Sequence, residues 1–406
     1  MSGDKQRNKE KPEDKNKRKK TEHMTGIEPY YILKNNRRMR FGYTTGTCAA
    51  AAAKAAAHMM LTGDMIDYVR VMTPKGIELE LEVVEAGFSD DSAACGIVKD
   101  AGDDPDVTDG MTVRATVERM PSGITITGGE GVGIVTKPGL EQPVGEAAIN
   151  STPRRMITEA VQDEAEKAGY GGGIKVTVSV SGGKEAAVKT FNPRLGIEGG
   201  ISILGTSGIV EPMSEAALIE SMEIEMRQQV AMGRKNIVAI LGNYGREYLE
   251  GIDDFPVTEA VKCSNFVGET IDAAVSCGAE GLLFVAHIGK FIKVAGGIMN
   301  THSRNADSRA EIMAAAAMRA GISHQAALEI LSAATTEEAL NIVDSEGRLK
   351  ETMKEICDKI AFYIDNRCYG RIMTGALIFS NAHGYLGETA SCRRLIERIN
   401  GEKCGV

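Results

Sequence analysis

The sequence predicts an α+β N-terminal domain followed by an α/β domain whose mainly parallel sheet is flanked by helices. Three observations carry this. Before residue 200, short β-branched runs follow one another with turn residues between them. After it, continuous apolar runs alternate with helical patterns, as buried parallel strands do. A glycine-rich link around Gly199 separates the two patterns. The length of 406 residues suits two or three domains at ~100–200 residues each.

In order, residues 1–29 read as a disordered charged tail. Up to residue 26 they hold almost nothing apolar, so burial cannot offset ordering entropy. Order is expected from near Tyr30. Residues 47–61 predict a helix, Ala-rich, hydroxyl-led and stopped by Gly63. Strands follow over 68–72, 77–82, 95–99, 111–118 and 124–127. A helix over 147–168 opens around Pro153, and 174–180 alternates as a strand. These complete a domain over 30–199. In the second domain, 200–406, residues 213–232 predict a helix capped by Ser214. Buried strands cover 236–241 and 281–287, with a helix over 265–277 between them. Helices are expected over 303–320, 323–333, 335–343 and 349–366. A strand at 376–379 and a helix over 392–399 close the chain.

Hydrophobic residues make up 43% of the chain and charged residues 25%, enough for full globular cores. The net charge of -9 implies no general affinity for nucleic acid or a membrane surface. No apolar run approaches the ~20 residues of a membrane helix, and no secretory pattern opens the chain. The eight cysteines include no CxxC pair, so reduced thiols in a cytoplasmic protein are expected.

Six segments stand out for chemistry. Residues 42–48, GYTTGTC, place Thr44, Thr45 and Thr47 at a helix start, either as an anion site or as a plain cap. The glycine-rich 128–133 and the following Lys137 form a close-approach loop or a simple hairpin. It opens no helix and therefore fails as a dinucleotide fingerprint. Arg154 and Arg155 sit at a helix start, where the dipole disfavours cations, which points to an acidic ligand. Residues 192–208 carry Arg194, Gly205, Thr206 and Ser207 in a long ordered loop or a hinge. The apolar strand before Gly242, Asn243 and Gly245, and the one ending at His287 before Lys290, mark strand ends where open α/β sheets bind ligands. Residues 296–309 gather Asn300, Thr301, His302, Arg304 and Asp307, with His302 the candidate for proton transfer.

Taken together, these segments resemble the cobalt-precorrin-5B C1-methyltransferases of anaerobic cobalamin biosynthesis. The strings are GYTTGTCAAAAAKAA (42–56), GIVTKPGL (133–140), VGEAAIN (144–150) and PRRMI (153–157). They continue with NPRLGIEGGISILGTSGIVEPMS (192–214), GNYG (242–245), KCSNFVG (262–268) and HIGKFIKVAGGIMNTHSR (287–304). The likeness is collinear over residues 36–395. It implies methyl transfer from S-adenosylmethionine to C1 of a cobalt-corrinoid, giving cobalt-precorrin-6A. Cobalt then belongs to the substrate, and no protein-bound metal is expected.

The corrinoid's carboxylates would be met by Thr44, Thr45, Thr47, Lys137, Arg154, Arg155, Arg194 and Lys290. The donor would meet Gly205, Thr206, Ser207, Gly242, Asn243, Gly245 and His287. His302, with Arg304 and Asp307, would face the reacting ring. Two other classes stay open: a non-catalytic corrinoid carrier and an ATP-dependent small-molecule kinase, although no Walker sequence is present. No nucleic-acid or membrane partner is expected, and a homo-oligomer is compatible with the sequence.

Overall fold

The computed structural model describes residues 24–34, 36–251 and 260–402. The tail expected to be disordered lies outside them up to residue 23. The chain is already attached by Ile27, which is buried in the first core, and Thr25 accepts the amide of Glu80. Attachment therefore begins before Tyr30.

The first half is built on the helix Thr45–Thr62. Thr44 caps it by accepting the Thr47 amide, and Gly63 ends it at φ 78°, a left-handed conformation that glycine adopts without strain. Alanines 49–53 and 55–57 are all buried, so the neighbours pack close to the helix backbone. That helix covers a five-stranded sheet, and the helix Ser151–Lys167 lies beside it, with Ile157 and Val161 in the same core. The strand order is Val84–Phe88, Ser92–Val98, Thr112–Met120, Gly173–Val180, Ile124–Gly128. The last pair is parallel and the others antiparallel. Alternation explains the layering: Thr112–Met120 sends Val113, Ala115 and Val117 into the core.

The link around Gly199 was expected to divide the halves, yet the chain stays with the first half beyond it. Gly200–Ile201 pairs with Gly131–Val132, and Ile209–Val210 pairs with Gly42–Tyr43. Ile201, Ile203 and Ile209 belong to the first core. The glycines let backbones meet: a Cβ on Gly200 would collide with the main chain at 131–132.

The second half holds a sheet ordered Val261–Lys262, Asn236–Ile240, Gly281–His287, Met373–Ser380, Gly384–Glu388. The first four strands are parallel and the edge strand is antiparallel. Asn236–Ile240 is buried at every position, as expected of a strand covered on both faces. One face carries a core with Met222, Met226, Phe284, Phe291 and Ile360; Leu249, Leu283, Phe379 and Leu395 fill the other. The chain is thus a mixed α/β protein with two sheet-bearing halves. Its described cysteines are free, and no helix among the described residues is long and apolar enough to cross a membrane.

Candidate functional site

Three parallel strands end side by side in the second half, and each end is polar. Asn236–Ile240 leads through Leu241 to Gly242, which takes φ 75° and opens the helix Gly242–Glu250. A Cβ on Gly242 would meet nothing within 4 Å. The strand end leads directly into a nine-residue helix. Its first amides have no intrahelical acceptor and offer hydrogen bonds to an anion. Asn243 is in that first turn, its side chain outside the described residues. Gly245 is buried, with Val285 O only 3.0 Å from where its Cβ would be.

His287 ends the neighbouring strand. Its Nδ1 accepts the Gly289 amide at 3.0 Å, and its Nε2 lies 3.3 Å from Glu337 Oε1. A ring that accepts at Nδ1 carries its hydrogen on Nε2 when neutral. Burial lowers the His287 proton affinity, and Glu337 only partly opposes this. The ring stands edge-on to Phe379 at 5.5 Å and tilted to Tyr244 at 5.7 Å. Ser380 ends the third strand and donates to both Glu337 oxygens at 2.8 Å.

Beside these ends runs the segment 297–308. It is pinned by Phe266, bridged to Asn300, and by the Thr301 amide on Asn265 O at 2.9 Å. Lys293 is 3% exposed, and its ammonium donates to Thr301 O at 3.2 Å and Ala306 O at 2.8 Å. Asp307 Oδ1 lies 4.0 Å away. Burial pushes the Lys293 proton affinity down, with Asp307 opposing it. Lys290 is exposed and donates to Asn265 Oδ1 at 3.1 Å.

The expected helix over 303–320 starts only at Arg309. The intervening residues are captured by local bonds: His302 N on Asn300 Oδ1 and Arg304 N on His302 Nδ1, each 3.1 Å. His302, Arg304 and Asp307 are all exposed. Asp307 pairs bidentately with Arg309 at 2.8 Å rather than with Arg304 or His302. Those bonds hold its carboxyl well below the usual carboxylate range. A cavity of about 330 Å³ opens on this loop, between Asp307–Glu311 and Ala333–Thr336.

The basic residues of the first half divide. Arg154 donates to three main-chain oxygens, of Ile149, Ile126 and Ala147, and so fixes its own loop. Lys137 is half-buried and packs across Gly196. Arg194 pairs with Glu225 at 2.7 Å. Arg155 is exposed, with Glu159 at 3.9 Å.

The Thr44–Thr47 turn is a clasp. Thr45 Oγ1 accepts the Leu204 amide at 3.1 Å, and Thr47 Oγ1 donates to Gly208 O at 2.7 Å. The amides of Thr44 and Gly46 bind Gly208 O and Leu204 O. All three threonines are buried. Gly205 lies against Thr44, and Ser207 donates to Ile209 O at 3.0 Å, so Gly205, Thr206 and Ser207 belong to the first half. They do not adjoin Gly242 in the sheet. Glu337 and Ser380 gave no signal in the sequence, because an acid in a helix's first turn and a serine after a strand are ordinary.

The two halves define a two-domain mixed α/β protein with a polar cluster at the carboxyl end of a parallel sheet. The chain belongs to the CbiD family. The family description "CbiD" matches residues 32–212, and "CbiD, C-terminal domain" matches residues 300–390. A relative from Ruminiclostridium cellulolyticum, named cobalt-precorrin-5B C(1)-methyltransferase, is 47% identical over 86% of this chain and 91% of its own. A relative of the same name from Alkaliphilus metalliredigens is 44% identical over 92% and 98%. The 1.9 Å crystal structure of a cobalamin biosynthesis protein (cbiD) from Archaeoglobus fulgidus is 30% identical, with a TM-score of 0.37. It covers 68% of this chain and 86% of that one.

Proposed function

We propose that this chain is a cytoplasmic enzyme that methylates cobalt-precorrin-5B at C1, with S-adenosylmethionine as donor, giving cobalt-precorrin-6A in anaerobic cobalamin biosynthesis. The carrying observation is 44–47% identity to relatives of that name over 86–92% of the chain. The kinase and carrier readings have no comparable support.

The donor fits the carboxyl end of the second sheet. Open space above Gly242 and the first amides of the helix Gly242–Glu250 suit an amino-acid carboxylate. We assign Asn243, Gly245 and His287 to the same site. Bound there, the donor supplies an electrophilic methyl on a positively charged sulfur. The corrinoid carbon supplies the electron pair, and the sulfur keeps the pair of the broken bond. The chain's own part is alignment, with reacting atoms ~3–3.5 Å apart, and reception of carboxylates.

Lys290 and Arg304, exposed beside the sheet end, and Arg155 and Lys137 on the first half suit those carboxylates. His302 is the group we assign to proton transfer, with Arg304 beside it; Asp307 contributes by ordering Arg309. To act as base, the ring must give up the Arg304 amide from Nδ1.

The test is incubation of the full chain with cobalt-precorrin-5B and labelled S-adenosylmethionine, read by mass. Gain of one methyl is expected, and no gain overturns the reading. His302→Ala should lower saturated turnover at least ~100-fold, as loss of a general base does, with substrate affinity nearly kept. Near-normal saturated turnover would leave alignment alone as the source of catalysis.

A further inference from the structure

We propose that Glu337, held by His287 and Ser380 at the ends of two central strands, is the counter-charge that receives the cationic part of the methyl donor. This rests on the reading that the donor lies at this end of the sheet.

The geometry converges on one carboxylate. The Ser380 hydroxyl accepts the amides of Ala382 and His383 at 3.1 and 3.2 Å, so its hydrogen goes to Glu337. The His287 ring accepts the Gly289 amide, so its hydrogen also faces Glu337. Both donors to Glu337 are oriented by main-chain amides at strand ends. Ser380 is 2% exposed, whereas the Glu337 side chain keeps 33% of its surface open. A carboxylate fixed from behind and open in front is preorganised for a ligand.

Charge points the same way. Among the described residues no lysine or arginine pairs with Glu337; its ionic partner is His287. Burial favours the neutral form of that imidazole, which leaves the carboxylate uncancelled. The ring of Tyr244, 55% exposed, leans on His287. Aromatic faces attract cations through their quadrupole. Across the same strand ends lie the free amides of the helix Gly242–Glu250. The site therefore offers donors for an anion at one end and a carboxylate with an aromatic rim at the other. S-adenosylmethionine carries a carboxylate, an ammonium and a sulfonium, and this polarity matches it.

A purely structural Glu337, tying two strands to a helix start, predicts loss of stability without ligand selectivity. Binding calorimetry on the full chain separates the two. Three probes differ in charge: S-adenosylmethionine has sulfonium and ammonium, S-adenosylhomocysteine only ammonium, and 5′-methylthioadenosine neither. Glu337→Gln should weaken S-adenosylmethionine about 10–100-fold, the loss of a charge-assisted contact, and leave methylthioadenosine unchanged. If S-adenosylhomocysteine binding falls equally, the ammonium is the group received; if it is spared, the sulfonium is. Equal change for all three probes, or none, overturns the proposal. Glu337→Asp, which keeps the charge, should retain the selectivity even where Glu337→Gln folds poorly. A wild-type chain that binds none of the three overturns the donor reading itself, and a selective Glu337→Gln cannot then arise.

Discussion

Thr45 belongs to a clasp on the 204–208 segment, a third role beside the two that the sequence left open, an anion site or a plain cap. Three threonines and two glycines at a helix start resemble an anion site, yet the hydroxyls are buried and bonded to the Thr47 amide, Leu204 and Gly208. Thr45→Val keeps the shape and leaves the Leu204 amide without its acceptor. It should cost ~1–3 kcal/mol of stability, the penalty for an unsatisfied buried group, with donor and corrinoid affinities unchanged. Chemical denaturation and calorimetry measure both, and a tenfold loss of either ligand would restore the binding role. Lys293 is the converse case: it lies inside the string 287–304 without a role assigned to it, and it holds the segment that carries His302. Its ammonium ties Thr301 O and Ala306 O, four residues of exposed loop apart. Lys293→Met should speed amide exchange over 301–306 and raise the corrinoid concentration needed, while S-adenosylhomocysteine binding stays as it was. Unchanged exchange there would show that the loop is held by Asn265 and Asn300 alone.

At the scale of elements, local chemistry was legible wherever it also decided the structure. Ser214 caps the helix it was read to cap, by accepting the amide of Ala217, and Ser323 and Thr335, at the start of the expected spans 323–333 and 335–343, cap theirs by accepting the amides of Ala326 and Glu338. Gly63 ends its helix in the left-handed conformation that glycine makes cheap. The apolar run 281–287 is a strand to the residue. Elements made by tertiary contacts were not legible. The pairing of Tyr31–Lys34 with Arg37–Arg40 shows no apolar alternation, and Arg38 instead covers the Tyr31 ring at 3.6 Å. The helix at Arg309 starts late because side chains hold the residues before it: His302 accepts the Arg304 amide, and Asp307 accepts the amides of Ser308 and Arg309. The candidate site follows the same rule. Gly242 and His287 were legible because strand ends are where open sheets bind. Glu337 was not, because what marks it is convergence of two strands that meet only in the fold.

At the scale of the whole molecule, the division between halves follows burial rather than composition. Glycine richness at 196–208 looks like a hinge, but those glycines allow close main-chain approach, and Ile201, Ile203 and Ile209 fill the first core. The crossing to the second half comes at the helix Glu215–Ala231. Its Met222 and Met226 sit in the second core, while Gln228 donates to Leu195 O and Glu225 receives Arg194. We therefore place the boundary after residue 212. A fragment 24–212 should fold alone and melt cooperatively, followed by circular dichroism. A fragment 24–199 loses three buried isoleucines, each worth ~1.5–3 kcal/mol, and also the bonds to Thr45 and Thr47. That total approaches the ~5–15 kcal/mol that holds an ordinary domain together. The shorter fragment should therefore lack a cooperative transition. Equal melting of the two would return the boundary to Gly199 and make 200–212 a linker; failure of both would mean that the first half needs the helix Glu215–Ala231 against Leu195 to stand.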